Sequence, residues 1–95
     1  MLERMFDLTD RIALVTGGNG GIGLGMARGL GQAGATVLVA GRNAEKSAAA
    51  LRELQSLGVR AESFAVDVTD EAAVQGLFEE VRSRHGRVDI LVNNA

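Results

Sequence analysis

The segment TGGNGGIG, residues 16–23, has the residue types and spacing best suited to a chemical role. It fits two patterns: Gly18, Gly20 and Gly23 spell G-x-G-x-x-G, while Thr16, Gly17, Gly21 and Gly23 spell T-G-x-x-x-G-x-G. Glycine adopts positive φ at little cost and lets a ligand approach the backbone closely. A helix that starts directly after such a loop directs its amides and its dipole at a phosphate. The segment therefore predicts a nucleotide-binding loop, with a flexible turn as the alternative.

Side chains able to make or break covalent bonds are scarce in this chain. It has no cysteine, so a disulfide framework and a thiolate metal site are excluded. Its single histidine, His85, has only scattered partners for a zinc site, and we expect it to interact with a helix dipole. Lys46 does not follow a glycine, which excludes a P-loop, and we expect it to be solvated. We therefore predict no catalytic residue and no metal ligand in this chain.

Composition and charge narrow the class of protein further. Apolar residues make up 46% of the sequence, so a buried core is expected, and the net charge of -2 gives no basic patch for nucleic acid. The opening segment MLERMFDLTD has no continuous apolar run, so it predicts neither a signal peptide nor a membrane span. We expect a soluble, cytoplasmic chain without nucleic-acid or membrane partners. Its length suits one small domain or part of a larger one.

Short apolar runs alternate with helical patterns along the chain. The predicted strands are Ile12–Thr16, Thr36–Ala40, Ser63–Val68 and Val88–Val92. The predicted helices run from Ile22 to Ala33, from a cap at Asn43 to Gly58, and from a cap at Thr69 or Asp70 to Gly86. This β-α-β-α-β-α-β order predicts the α/β class, with a Rossmann-type doubly wound parallel sheet in the order 3-2-1-4. The winding reverses at strand 1, which the glycine loop follows, and ligands of such sheets bind there.

The helical patterns also predict how the helices pack. Ile22, Met26 and Leu30 recur every fourth residue in the first helix, and Ala48, Leu51 and Leu54 face one way in the second. Val74, Leu77, Phe78 and Val81 have the spacing of one buried face in the third. Gly25 and Gly29 are expected to let the first helix pack closely on the sheet. The first two helices should cover one face of the sheet and the third only part of the other, leaving Ile90, Leu91 and Val92 uncovered on their outer side.

The loop TGGNGGIG, followed by AGRN, DVT and NNA, resembles the short-chain dehydrogenase/reductase family over roughly Phe6 to Ala95. Within the family, the chain looks most like sugar or sugar-acid dehydrogenases and 3-oxoacyl-carrier-protein reductases. The resemblance implies an NAD(P)-dependent oxidoreductase that interconverts a carbonyl and an alcohol by hydride transfer. It also implies a homo-oligomer, dimer or tetramer, for the full-length protein.

Carried over to this sequence, the resemblance implies a set of cofactor-binding residues. In the glycine loop, Gly17, Gly21 and Gly23 shape the phosphate site, with Gly20 beside them; the Ile22 amide faces the pyrophosphate, and Asn19 reaches the adenosine ribose. After the second and third strands, the set includes Arg42 and Asn43, Asp67, which contacts the adenine, and Val68, which lines the adenine pocket. After the fourth strand, Asn93, Asn94 and Ala95 border the ribose and meet Thr16. Two alternatives stay open. Asp67 and Thr69 could merely cap the third helix, and Asn93 and Asn94 could be turn formers only.

The end of the second strand predicts which cofactor is bound. A ribose 2′-hydroxyl is usually held by a carboxylate about 20 residues past the glycines, whereas a 2′-phosphate needs an arginine. No acidic residue occurs between Asp10 and Glu45, and Arg42 follows Gly41, where family members place the carboxylate. NADP(H) is therefore favoured and NAD(H) is possible, although Arg42 could be a solvated loop residue. Many NADP-using relatives have a second basic residue at the position of Gly20. The missing carboxylate also weighs against a methyltransferase that uses S-adenosylmethionine.

The groups that catalyse the family's reaction are not found in these 95 residues. The family uses a serine, a tyrosine, a lysine four residues after the tyrosine, and a further asparagine, all beyond the N-N-A-G segment. This chain has no tyrosine, and Lys46 lies in the predicted second helix. We therefore expect residues 1–95 to be the N-terminal part of a single dinucleotide-binding domain, without its catalytic part and inactive alone. A non-catalytic dinucleotide-binding module is the alternative.

Overall fold

The computed structural model describes residues 7–17 and 20–94 of the chain. Its elements are β1 (Ile12–Thr16), α1 (Gly21–Gln32), β2 (Thr36–Gly41), α2 (Ala44–Ser56), β3 (Ala61–Ala65), α3 (Glu71–His85) and β4 (Ile90–Asn93). The strands form one parallel sheet in the order β3-β2-β1-β4, which confirms the predicted α/β class and strand order. All four strands therefore end at the same side of the sheet, which we call the carboxyl edge.

Both faces of the sheet are covered, which explains the unbroken apolar runs of the central strands. One core layer, under α1 and α2, consists of Ala13, Val15, Ala27, Ala35, Val37, Val39, Leu54 and Val59. The other layer, under α3, consists of Leu14, Leu38, Ala40, Leu77 and Val81. Successive residues of β1 and β2 alternate between the two core layers. Polar residues at every second position of either strand would therefore remove apolar side chains from one layer.

Helix ends follow local side-chain chemistry. Asn43 caps α2 by accepting a hydrogen bond from the Lys46 amide at 3.0 Å, as predicted. Asp70, rather than Thr69, caps α3, because its carboxylate accepts from the amides of Ala72 and Ala73. Gly86 ends α3 with φ of 81°, a left-handed conformation that favours glycine. In the part of the chain that the structure describes, no helix is long and apolar enough to span a membrane.

Three predicted strands have different bounds in the structure, and the smallest difference is at β2, which ends at Gly41 rather than Ala40. β3 ends at Ala65 rather than Val68, because its last partner, Gly41, ends β2. β4 begins at Ile90 rather than Val88, because pairing with β1 starts at the Ala13–Ile90 register. For β3, the length of the neighbouring strand, rather than the apolar run itself, sets where the ladder stops. The β1–β4 ladder starts one residue inside β1, which begins at Ile12.

The fully buried residues of α1 are small. Ile22 and Met26, which recur every fourth residue, are 74% and 46% exposed. Gly23 and Ala27 are fully buried, and Leu24 and Leu30 pack partly buried against the core, so of the three recurring residues only Leu30 lies on the core face. The expected role of Gly25 and Gly29 is also wrong, because a Cβ at Gly29 would meet nothing within 4 Å and one at Gly25 only the tip of an arginine.

Close packing of α1 occurs near its ends. A Cβ at Gly31 would lie 2.3 Å from Val59 Cγ1, so glycine is required where the end of α1 passes the segment before β3. Gly23 makes the corresponding approach at the start of the helix. These two contacts place the first turn of α1 directly at the carboxyl edge.

Candidate functional site

The carboxyl edge brings together residues that are far apart in the sequence. Thr16 pairs with Asn93 across the β1–β4 ladder, and the Gly17 amide donates to Ala40 O at 2.7 Å. Arg42 follows β2, and its Nε lies 3.9 Å from Asp67 Oδ2, beyond β3. The edge therefore joins the glycine loop to the segments after the other three strands.

Gly17 and Gly23 are glycines because the backbone passes too close for a side chain. Gly17 has φ of +68°, and a Cβ there would lie 2.0 Å from Asn94 O. A Cβ at Gly23 would lie 2.2 Å from Gly17 O and 2.9 Å from Asn94 Nδ2. The loop, the first turn of α1 and the residue after β4 consequently pack as one unit.

Gly20 and Gly21 face open space instead. No atom lies within 4 Å of a Cβ built at either residue. Gly21 has φ of +56°, which favours glycine, whereas Gly20 has the extended φ of -174° that any residue adopts. The need for glycine thus falls on Gly17, Gly21 and Gly23, the T-G-x-x-x-G-x-G pattern. Gly18 and Asn19 lie outside the described residues.

The start of α1 differs from the starts of the other two helices. Gly20 occupies its N-cap position without a side chain to accept from the first-turn amides, and the first turn has no acidic residue. Asn43 and Asp70, in contrast, cap α2 and α3 with side-chain oxygens. Uncapped amides at a helix start, reached over two glycines without side chains, fit a phosphate group. This is the feature of the site that matches a dinucleotide.

Thr16 contacts both Asn93, the last residue of β4, and Asn94, which follows it. Its hydroxyl lies 3.1 Å from Asn93 Oδ1 and 3.3 Å from Val92 O, both acceptors. The Asn94 amide donates to the Thr16 hydroxyl at 3.2 Å and approaches the Thr16 carbonyl at 3.3 Å. Both asparagines are therefore tied to β1. Ala95 lies outside the described residues.

Arg42 and Asp67 form an exposed pair at the outer end of the site. The Arg42 side chain is 78% exposed and that of Asp67 39%. Asp67 Oδ1 accepts from the Thr69 hydroxyl at 2.6 Å and from the Thr69 amide at 3.0 Å. These two bonds, in that order, hold the pKa of Asp67 below its usual value, and the charge of Arg42 adds a smaller effect. Since Asp70 caps α3, capping does not account for Asp67.

Two other predicted residues lie beside this pair. Asn43 uses its side-chain oxygen to cap α2, so its amide group is the part available to a cofactor. Val68 is 36% exposed and borders a hollow of about 140 Å³. The hollow is lined by Thr16, Val68, Val74, Leu77, Phe78, Leu91 and Asn93.

A larger cavity, of about 500 Å³, opens at the opposite edge of the sheet. Arg84, which lines it, is paired with Glu62 at 3.0 Å and Glu80 at 2.9 Å. His85 Nε2 lies 3.2 Å from Glu62 Oε1 but makes no hydrogen bond. Because the glycine loop is at the other edge, size alone does not make this cavity the site.

The described residues contain no group of three or more His, Asp or Glu side chains that could hold a metal ion. Lys46 lies in the first turn of α2 and is exposed. His85 lies in the last turn of α3, at the edge away from the glycine loop.

Comparison with known proteins identifies the family. The model of the short chain dehydrogenase family matches residues 11–95. This chain belongs to that family. Short-chain dehydrogenases are oxidoreductases that use NAD(P), and the loop, sheet order and NNA segment described above are the parts of the family fold present here.

Individual relatives of this short-chain dehydrogenase chain are longer. The 2-dehydro-3-deoxy-D-gluconate 5-dehydrogenase of Formosa agariphila is 40% identical over 92 residues, which cover 96% of this chain and 35% of that protein. A metagenomic short-chain oxidoreductase solved in complex with NADP is 43% identical, with a TM-score of 0.89 over 93% of this chain and 40% of that one. Actinorhodin polyketide ketoreductase, solved as a variant with NADPH, is 44% identical, with a TM-score of 0.87 over 90% and 33%. The chain therefore spans about a third of the curated relatives' length.

Sequence reasoning missed two contacts of this short-chain dehydrogenase site. The first is the bond between Thr69 and Asp67, which the D-x-T spacing could have indicated, since Asp often bonds to the backbone two residues on. The second is the approach of Arg42 to Asp67, which depends on how the loops after β2 and β3 fold and has no local signal.

Proposed function

We propose that this chain is the cofactor-binding part of an NADP(H)-preferring short-chain oxidoreductase that interconverts a carbonyl and an alcohol. The observation that carries the proposal is the uncapped start of α1 behind Gly20 and Gly21. Residues 1–95 are, in this proposal, the N-terminal part of one dinucleotide-binding domain. A serine, a tyrosine and a lysine outside them carry out the acid–base chemistry, as the family resemblance implies.

Each part of the site has a task in this proposal. The first-turn amides of α1 hold the pyrophosphate, with Gly17, Gly21 and Gly23 shaping the loop and the Ile22 amide facing the ligand. Asn19, Asn93, Asn94 and Ala95 border the riboses, and Asp67 with Val68 receives the adenine. When bound, the nicotinamide supplies or accepts the hydride. The residues of this chain hold and orient it.

Arg42 supports the preference for NADP(H). It is the first residue after β2, its side chain is 78% exposed, and its partner Asp67 is solvent-exposed and 3.9 Å away. An exposed pair at this distance is weak, so the guanidinium is available to a 2′-phosphate. The NADP and NADPH complexes of the two solved relatives agree with this assignment.

The substrate class is proposed from the relatives alone. A sugar-acid dehydrogenase and a polyketide ketoreductase resemble this chain to about the same degree, at 40% and 44% sequence identity. Since the cofactor-binding part is shared among such enzymes, we propose a hydroxy or oxo group on a sugar acid or an acyl chain as the reacting centre. The full-length protein is proposed to form a homo-oligomer.

Calorimetric titration of the protein that carries this sequence tests the cofactor proposal. NADP(H) should bind more tightly than NAD(H), and Arg42→Ala should remove most of that difference, about tenfold for each 1.4 kcal/mol lost. Arg52→Ala is the matched control, because it removes the same charge from an exposed position on α2. Equal affinity for the two cofactors in the unmutated protein contradicts the preference.

A non-catalytic dinucleotide-binding module is the second candidate, favoured by the absence of tyrosine from the chain. The two candidates differ in turnover. A steady, protein-dependent loss of NADPH absorbance with a panel of carbonyl compounds supports the oxidoreductase. Tight NADPH binding without any such loss, in the longest natural protein that carries this sequence, supports the module. The isolated 95 residues should give no turnover in either case.

A further inference from the structure

The two oxygens of the Asp67 carboxylate have different surroundings. Oδ1 accepts both hydrogen bonds from Thr69, at 2.6 Å from the hydroxyl and 3.0 Å from the amide. Oδ2 accepts neither and lies 3.9 Å from Arg42 Nε. Because a carboxylate is planar, the two bonds to Oδ1 also fix the direction of Oδ2. Oδ1 is thus held by Thr69, while Oδ2 faces Arg42, the first residue after β2.

The hydroxyl bond from Thr69 is not needed to start α3. Asp70 caps that helix by accepting from the amides of Ala72 and Ala73. The Asp70 amide in turn donates to the Asp67 carbonyl at 3.1 Å, so the turn before the helix is closed by the backbone. The Thr69 amide alone would complete the turn at Asp67. What the hydroxyl adds is a second restraint on the carboxylate.

We propose that Thr69 is a positioning residue for adenine specificity, whose hydroxyl holds Asp67 so that Oδ2 accepts a hydrogen bond from the purine amino group. The inference rests on the proposed function, because it requires that a dinucleotide binds at the carboxyl edge. It assigns to Thr69 a role that acts only through Asp67.

The chemistry of the purine explains why orientation matters. Adenine has an amino group at C6, which donates to a carboxylate oxygen, whereas hypoxanthine has a carbonyl oxygen there. Two acceptors facing each other repel, so a fixed Oδ2 discriminates between the two bases. A carboxylate free to rotate would turn away from the carbonyl and lose that discrimination. The weak, exposed contact with Arg42 does not block Oδ2.

Paired titrations of the protein that carries this sequence test the inference. NADPH and reduced nicotinamide hypoxanthine dinucleotide phosphate are titrated by calorimetry into the unmutated protein, Thr69→Val and Thr69→Ser. The unmutated protein should prefer the adenine cofactor roughly tenfold or more, the effect expected for one hydrogen bond to a charged group. Thr69→Val, which has nearly the same shape but no hydroxyl, should lose most of that preference. Thr69→Ser restores the hydroxyl and should keep it.

The ratio of the two affinities separates positioning from general loss of structure. A merely structural role for Thr69 lowers both affinities by the same factor and leaves the ratio unchanged. A second measurement needs no ligand: the carboxyl carbon of Asp67, followed by NMR titration, should show a higher pKa in Thr69→Val and an unchanged pKa in Thr69→Ser. This follows because the Thr69 hydroxyl is the main cause of the lowered pKa of Asp67.

The outcomes are distinct. An unchanged affinity ratio in Thr69→Val overturns the inference, and so does an unmutated protein that binds both cofactors equally well; NADPH binding in either case leaves the proposed function standing. Failure of the unmutated protein to bind either cofactor overturns the proposed function, and the inference falls with it. A ratio that collapses in Thr69→Val and is restored in Thr69→Ser supports it.

Discussion

Gly20 is the residue of the loop at which a new side chain could change what the loop binds. Its φ of -174° is extended, and a Cβ there would meet nothing within 4 Å. Three residues on, a Cβ at Gly23 would lie 2.2 Å from Gly17 O. Of these two glycines, one therefore has room for a side chain and the other does not.

We predict that Gly20→Arg raises the affinity for NADP(H) about tenfold and leaves that for NAD(H) nearly unchanged. The reason is that a cation on the glycine loop, in addition to Arg42, would attract the 2′-phosphate, which NAD lacks. Gly20→Gln is the control, since it has a similar length and the same effect on the N-cap but no charge. Calorimetric affinities for both cofactors give the answer, and a gain shared by NAD(H) would contradict the charge argument.

The same measurement at Gly23 should have the opposite outcome. Gly23→Ala places a methyl group against Gly17 O and Asn94 Nδ2, at 2.2 Å and 2.9 Å, so the loop must move. We expect loss of cofactor binding and a lower midpoint of urea unfolding. Retained binding in Gly23→Ala would show that the loop adapts more easily than its contacts suggest.

At the scale of elements, Asp89 fastens the start of β4 to the start of β1. Its Oδ2 accepts from the Ile12 amide at 2.8 Å and from Arg87 Nε at 2.9 Å. The bond from the Ile12 amide is the main reason why the pKa of Asp89 is lowered, and the Arg87 hydrogen bond and charge add to it. This carboxylate therefore couples the stability of the β1–β4 ladder to pH.

The sign of that coupling follows from the lowered pKa. The ionised form is favoured by folding, so Asp89 contributes stability that is present above its unfolded pKa of about 3.9 and lost as pH falls through the folded value. We predict that the urea midpoint falls below about pH 4 and that Asp89→Asn is less stable at neutral pH but loses less on acidification. Asp10→Asn, at a nearby exposed carboxylate, is the control. An acid profile that Asp89→Asn leaves unchanged would contradict this role.

The elements also show how far the sequence determines the fold. β1 has its predicted bounds, Ile12–Thr16, because its apolar run ends where the glycine loop begins. β3 was predicted as Ser63–Val68 and is Ala61–Ala65, since its apolar residues continue past the end of β2. The core face of α1 follows only partly from large apolar residues, because Leu24 and Leu30 pack against the core but its fully buried residues are Gly23 and Ala27. Of the site, the loop and its neighbours follow from local patterns, whereas the contact of Arg42 with Asp67 depends on two loops that meet only in the fold.

For the molecule as a whole, the two faces of the sheet are covered unequally. α1 and α2 pack on one face and α3 alone on the other, as predicted. Ile90 and Val92 of β4 pack against the layer under α1 and α2, so the expectation that they lack cover was wrong. Leu91 points to the α3 side, beside the hollow of about 140 Å³, and is 53% exposed. The uncovered apolar surface of β4 is thus concentrated at one residue.

The order β3-β2-β1-β4 leaves β4 with a neighbour on one side only among the described residues. An edge strand exposes unpaired N–H and C=O groups to other chains, and an apolar side chain beside them favours self-association. Full burial of a leucine is worth roughly 1.5–3 kcal/mol, an appreciable share of the roughly 5–15 kcal/mol that stabilises a typical domain. We predict that the 95 residues produced alone self-associate or unfold with low cooperativity.

Leu91→Lys should shift the chain toward monomer, because a charge at an edge strand opposes pairing. Leu57→Lys, which changes a residue 46% exposed at the end of α2, is the control and should leave association unchanged. Size-exclusion chromatography and urea unfolding measure both effects. A monomer with a sharp unfolding transition before any mutation would show that the four-stranded sheet is self-sufficient and that the β4 edge needs no cover.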